Sequence, residues 1–182
     1  MNIIDIKNKN SLNIASRILL KNGVVVFPTD TVYGIGCILD QEAIPKLYQI
    51  KNRPLNQPTA ILMNKNDIPE SLQKEYKKYP AGSVTIITDA KKYNINFPKV
   101  LLKDNKIGVR IPNDVWLEKL INEVGPIVAS SANQAGENTP EKFSDVSSKL
   151  LKQVDLVVKS DIISVQTPST IYDVETKKII RN

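Results

Sequence analysis

The sequence predicts an α/β (α+β) domain built on one twisted sheet of mixed parallel and antiparallel strands, flanked by helices. Amphipathic stretches of helical period alternate with short β-branched runs, the pattern of helices packed on a sheet. Strands crowd the last part of the chain too densely for a purely parallel sheet, whose crossovers each need a dozen or more residues. The length, 182 residues, suits a single domain over 1–182, long enough to bury a real core.

The elements follow in order. Ser11 is placed to cap a helix that carries Leu12, Ala15, Ile18 and Leu19 on one face, and Gly23 to end it before the run Val24 to Phe27. That run is a buried strand, stopped by Pro28. Thr29 to Gly34 then reads as a polar loop that Gly34 and Gly36 allow to fold closely. A second helix runs through Ala43, Ile44, Leu47 and Ile50, with Pro45 tolerated only near its first turn, and delivers Lys51-Asn-Arg-Pro54 at its C-terminal end. Thr59 to Met63 is a short buried strand, Glu70 to Tyr79 an exposed helix, and Ser83 to Thr88 another strand. Ile107 to Pro112 is strand-like. Asn113 is placed to cap a helix with Leu117, Leu120, Ile121 and Val124 inward, and Gly125 to close it. A buried strand, Pro126 to Ser130, ends in Ser131-Ala132-Asn133. A last helix spans Ser144 to Leu151, and Leu156 to Val158, Ser169 to Val174 and Ile179-Ile180 supply further strands.

Composition narrows the chemistry. No histidine occurs, and the one cysteine, Cys37, has no partner within the chain, so the usual structural zinc sets and Cys-His hydrolysis are excluded. The beginning, Met1-Asn-Ile-Ile-Asp-Ile-Lys7, lacks the basic-then-apolar pattern of a signal peptide, and no apolar run approaches the ~20 residues that span a membrane. A cytoplasmic location without membrane attachment is expected. The net charge is +6, and the excess lies in the first 120 residues, which carry 18 basic against 11 acidic groups. That favours anionic partners, nucleotide phosphates or RNA, although Lys77, Lys78, Lys91 and Lys92 are better read as solvated surface.

Four segments end an apolar strand or helix in small hydroxyl, amide or basic residues, where a rigid scaffold presents ligand contacts. They are Pro28 to Thr31, Lys51 to Arg53, Arg110 with its strand, and Ser130 to Asn133. Each also has a plain structural account: a capping turn, a cationic pair at a helix C-terminus, a surface loop. Arg110 is the most informative, because a guanidinium set in Ile-Gly-Val-Arg-Ile-Pro needs solvent, an acidic partner or a bound anion. A ligand carboxylate or phosphate would serve, as would Asp114 or Asp173. Neither a Gly-x-x-x-x-Gly-Lys-Ser/Thr loop nor a Gly-x-Gly-x-x-Gly fingerprint is present, so phosphates would be held by side chains, with Lys51, Arg53 and Arg181 as candidates.

Taken together, the segments resemble the YrdC-like threonylcarbamoyl-AMP synthase family, which includes the short bacterial TsaC enzymes. The matching stretches are Phe27 to Gly36 (Phe-Pro-Thr-Asp-Thr-Val-Tyr-Gly-Ile-Gly), Ile50 to Pro54 (Ile-Lys-Asn-Arg-Pro), Val84-Thr85, Gly108 to Pro112 (Gly-Val-Arg-Ile-Pro), Ser131-Ala-Asn133, and Pro168-Ser-Thr170 followed by Ile180-Arg181. Six such stretches in family order span nearly the whole chain.

The resemblance implies a single YrdC-like domain with a concave basic substrate cleft. It implies a nucleotidyltransferase that makes threonylcarbamoyl-AMP and pyrophosphate from L-threonine, bicarbonate and ATP with magnesium, with no bound zinc or organic cofactor. The product would pass to a threonylcarbamoyl transferase complex that modifies tRNAs reading codons beginning with A. By the same resemblance Thr31, Arg110, Ser131 and Ser169 contact threonine, Lys51, Arg53, Asn133 and Arg181 contact ATP, Lys51 and Arg53 are catalytic, and Thr29 and Thr59 are further candidates. No protein metal ligand is implied.

The chain departs from the family pattern in four places. Asp30 stands where Glu is frequent, Tyr79-Pro-Ala-Gly-Ser83 replaces Trp-Pro-Gly-Pro, Leu62 stands where longer members often carry histidine, and Arg181-Asn182 replaces Arg-Pro-Gly. Three other readings compete with this one: a double-stranded RNA or tRNA-binding module without turnover, a carbamoyl-transfer domain of the hydrogenase-maturation type, for whose additional parts this short chain has no room, and a ligand sensor or structural protein that kept the fold.

Overall fold

A computed structural model describes residues 2–161 and 167–181; the departure at Asn182 lies outside them. The expected mixed sheet is present, with ten strands: β1 (Ile3–Asp5), β2 (Val25–Phe27), β3 (Gly34–Ile38), β4 (Ala60–Leu62), β5 (Val84–Asp89), β6 (Lys106–Arg110), β7 (Ile127–Ser131), β8 (Leu156–Lys159), β9 (Thr170–Asp173) and β10 (Lys178–Arg181). Their order across the sheet is β1-β8-β2-β3-β7-β4-β6-β5-β9-β10. The pairs β1–β8, β2–β8, β4–β6 and β5–β9 are parallel, and the others antiparallel.

Five α-helices accompany the sheet: α1 (Ser11–Leu19), α2 (Ala43–Ile50), α3 (Glu70–Tyr76), α4 (Val115–Val124) and α5 (Ser148–Leu151). The alternation of side chains along each strand sorts them into two cores. On one face Val26, Ile35, Ile61, Val109, Val128 and Val157 meet Ile44, Leu47 and Tyr48 of α2, Leu72 of α3 and Leu150 of α5. On the other, Val25, Phe27, Leu62, Ile127 and Val158 meet Ala15 and Leu19 of α1 and Leu117, Leu120 and Ile121 of α4. Each fully buried aliphatic side chain contributes ~1.5–3 kcal/mol. Helices α1 and α4 cover only part of the second face, and small residues, among them Gly34, Ala60 and Ala129, floor the part left open. No helix of the described residues is long and apolar enough to cross a membrane.

Several local expectations are corrected. Ser11 is the first residue of α1 rather than its cap. Its Oγ donates to the Ile6 carbonyl and accepts from the Trp116 indole, tying α1 to the chain before it and to α4. The left-handed residue after α1 is Asn22, whereas Gly23 is needed for space, since a Cβ there would lie 2.6 Å from Ile18. The cap of α4 is Asp114, accepting from the Leu117 amide at 2.7 Å, whereas the Asn113 amide donates to Asp30. Gly125 closes α4 at φ +80° as expected. Pro45 is the third residue of α2, where an amide has no helical partner in any case. The helix expected over Ser144 to Leu151 is a 3-10 turn, Phe143–Asp145, and the single α-turn α5.

Strand β3 went unpredicted because glycine at its first and third positions hides the alternation. Those glycines are a packing device: a Cβ on Gly36 would stand 2.9 Å from both Ile127 Cγ2 and the Val128 carbonyl.

Candidate active site

The open part of the second sheet face becomes a cleft of about 200 Å³ of water-accessible volume. Register explains why its residues meet. Gly34 of β3 lies opposite Ser131 of β7, Leu62 of β4 beside Arg110 of β6, and Arg110 opposite Thr85 of β5, whose neighbour in β9 is Ile171. Six of the eight site residues named from the sequence line this one cleft: Thr31, Arg53, Arg110, Ser131, Ser169 and Arg181, joined by Thr29 and Thr59. Among the described residues no carboxylate lines it, and Arg53, Arg110 and Arg181 line it together with a set of serine and threonine residues.

The turn from β2 to β3 is organised by Thr29. Its hydroxyl donates to the Val32 carbonyl at 2.7 Å, accepts from the Thr31 and Val32 amides, and lies 3.1 Å from the Thr31 hydroxyl. The loop is clamped further along by the Tyr33 amide on the Pro140 carbonyl and the Tyr33 hydroxyl on Ser160.

Arg110 is only 6% exposed, and its partner is neither Asp114 nor Asp173. Asp114 caps α4, and Asp173 pairs with Lys106 at 2.7 Å. Arg110 instead donates Nη2 to Asp30 Oδ1 at 2.5 Å and Nε to the Gly82 carbonyl at 2.9 Å, and it still lines the cleft. The departures at Asp30 and at Tyr79 to Ser83 thus meet around one side chain.

Lys51 and Asn133 stand apart from the lining. Lys51, 2% exposed at the end of α2, donates Nζ to the carbonyls of Ser131 (2.5 Å) and Asn133 (2.6 Å), while its own carbonyl accepts from the Ala135 amide. It supports the Ser131–Asn133 turn from behind. Burial above all, then the like charge of Arg53, pulls its pKa down to about 8, with Glu137 opposing. The two carbonyl acceptors favour the ammonium and keep it protonated at neutral pH. Asn133 accepts from the Ser131 hydroxyl at 2.6 Å and donates to the Glu137 carbonyl.

Arg53 donates to the Gln57 and Pro58 carbonyls, holding the loop after α2 against the cleft. Arg181 donates to the Ser169 carbonyl, and the Ser169 hydroxyl lies 2.8 Å from that of Thr85. Thr85 and Thr139 also line the cleft, though neither was singled out from sequence as a contact. Thr85 sat in a recognised stretch, and its position on a strand beside Arg110 was the signal available. Leu62, at the departure from histidine, gives the cleft an apolar wall.

Comparison with known proteins follows from this geometry. The family model Sua5_yciO_yrdC, described as telomere recombination, matches residues 17–182. A relative from Methanocaldococcus jannaschii is 32% identical over 96% of this chain and 85% of its own. The threonylcarbamoyl-AMP synthase of Pseudoalteromonas translucida is 28% identical over 96% of this chain and 98% of its own. The crystal structure of P. abyssi Sua5 complexed with L-threonine has a TM-score of 0.84 at 25% identity, covering 96% of this chain and 55% of that one. This chain therefore spans about half the length of that Sua5 protein.

Proposed function

Because the chain belongs to the Sua5/YciO/YrdC family, we propose that it is a threonylcarbamoyl-AMP synthase, a nucleotidyltransferase acting on L-threonine, bicarbonate and ATP. The observation that supports this best is the cleft in which Arg53, Arg110 and Arg181 converge with serine and threonine residues and, among the described residues, no carboxylate. Such a cleft suits two anions at once, an amino-acid carboxylate and a triphosphate.

The division of the site follows the walls. Arg110, with Thr31, Ser131 and Ser169 around it, takes the threonine carboxylate and hydroxyl. Arg53 and Arg181, with Asn133, take the nucleotide, and Lys51 acts on both through the turn it holds. The threonine amine adds to the carbon of bicarbonate-derived carbon dioxide and gives up a proton to the hydroxide released with that carbon dioxide, leaving a carbamate and water. A carbamate oxygen attacks the α-phosphorus, the bond to the β-phosphate oxygen breaks, and pyrophosphate leaves. The nucleophile is already an anion, so no protein base of histidine type is required. The protein supplies alignment and positive charge for the phosphoryl transition state.

No group of three Asp, Glu, Cys or His among the described residues could hold a metal ion. By the family resemblance, magnesium would enter as the ATP-bound ion, part of the substrate. The product would be consumed by a separate transferase that modifies tRNA.

The test is incubation with L-threonine, bicarbonate, ATP and magnesium. Threonine-dependent pyrophosphate release is expected; its absence under conditions where the P. translucida synthase works would sink the proposal.

A further inference from the structure

Arg110 offers five N–H donors. One, on Nε, goes to the Gly82 carbonyl, and one, on Nη2, to Asp30 Oδ1. These two partners account for two of the five, and the side chain lines the cleft. Asp30 is itself fixed: its Oδ2 accepts from the Asn113 amide at 3.0 Å, and its side chain is only 12% exposed. The carboxylate therefore bridges the guanidinium of β6 and the backbone that leads into α4. Asp30 is not among the residues that line the cleft.

Gly82 completes the arrangement. It has φ +77°, and a Cβ on it would fall 1.8 Å from Asp30 Oδ2. The chain can offer the Gly82 carbonyl to Arg110 and leave room for the Asp30 carboxylate only if residue 82 has no side chain.

We propose that Asp30 is a positioning residue that, with Gly82, fixes the plane of the Arg110 guanidinium so that its remaining N–H groups face the substrate carboxylate. Among the described residues Arg110 has no other acidic partner, and the pair spans 80 residues of sequence. Without the carboxylate the guanidinium keeps only the Gly82 carbonyl and turns about its long stem. A bidentate grip on a carboxylate depends on that plane, so the loss falls on threonine rather than on ATP. The inference rests on the reaction proposed above and adds to it a residue that touches no substrate.

Two arms test it and separate its failure from that of the proposed reaction. In the first, kinetics of pyrophosphate release are compared for the wild type, Asp30→Asn, Asp30→Glu and Gly82→Ala. Asp30→Asn and Gly82→Ala should raise KM for threonine by about tenfold, leaving KM for ATP and kcat within about twofold. Asp30→Glu, which restores the charge, should recover most of the loss. Gly125→Ala is the control, a glycine at φ +80° with nothing within 4 Å of a new Cβ; it adds backbone strain without touching Arg110 and should not move KM for threonine.

The second arm needs no substrate. The Arg110 Nη2–H resonances of the ligand-free protein should exchange slowly in the wild type and much faster in Asp30→Asn, with restricted rotation of the guanidinium lost. An active wild type whose Asp30→Asn variant keeps both its threonine KM and its Nη2–H protection would overturn the inference. An inactive wild type would overturn the proposed reaction, and the exchange measurement would still decide whether Asp30 holds Arg110.

Discussion

Replacing Lys51 with methionine distinguishes a residue that grips ATP from one that shapes the site by holding backbone. The methionine stem fills similar space and carries no charge. In the native protein the drop in pKa from 10.5 to about 8 corresponds to roughly 3 kcal/mol against the charged form at neutral pH. The two bonds from Nζ to the carbonyls of Ser131 and Asn133 return ~1.5–3 kcal/mol each. Methionine removes the penalty and strands both carbonyls, at ~1–3 kcal/mol each. The lost bonds and stranded carbonyls outweigh the removed penalty, so Lys51→Met should lose at least ~2 kcal/mol of stability at pH 7.

Activity should not be spared. Ser131 and Asn133 lie on the threonine and nucleotide sides of the proposed site, and they lose their common support together. KM should rise for both substrates, and kcat/KM should fall by ~100-fold, the usual result of about 1 Å of misplacement. Urea unfolding followed through Trp116, the sole tryptophan, checks the first expectation, and pyrophosphate release the second. A further signature lies in pH. Between about pH 8 and 10.5 the unfolded chain keeps a proton at Lys51 that the folded chain has released, so wild-type stability should climb across that window relative to Lys51→Met, by up to ~3 kcal/mol. A variant whose threonine KM is unchanged while its ATP KM rises would show that Lys51 is a direct nucleotide contact and that the backbone account is wrong.

The remaining predictions concern the walls of the cleft and its scaffold. Arg110→Lys keeps the charge and loses the planar fork, so it should raise KM for threonine at least ~10-fold without altering that for ATP; Arg53→Ala should do the reverse, and equal damage to both substrates in both variants would refute the division of the site. Gly36→Ala forces β3 away from β7 and should cost ~1–3 kcal/mol in urea unfolding. Burial pushes the Cys37 thiol up to about 12, so at pH 8 it should resist an aromatic disulfide reagent until the chain unfolds; prompt labelling of native protein would show that β3 is not sealed.

Much of the fold was legible because β-branched runs such as Val24 to Phe27 and Leu156 to Val158 are buried on both faces and read as continuous apolar stretches. Strands β1 and β3 were not. One is a short edge with two exposed residues, and the other starts Gly-Ile-Gly. The site divides in the same way. Residue type and local context marked Thr31, Arg53, Arg110, Ser131 and Arg181, the family resemblance added Ser169, and the fold gathers them in one cleft. The bond between Arg110 and Asp30, and the service of Lys51 to backbone rather than to the cavity, join residues about 80 positions apart. No local pattern encodes such a choice of partner. Asp114 and Asp173 were equally reasonable until the sheet order assigned each to other work.

Strands β9 and β10 join the sheet only at the free edge of β5, after the other eight strands have found their neighbours. They bring Ser169 and Arg181. A chain synthesised only through β8 contains nearly every residue of both hydrophobic cores and lacks one wall of the candidate cleft. The order of synthesis thus delivers the residues of the core ahead of those of the candidate site.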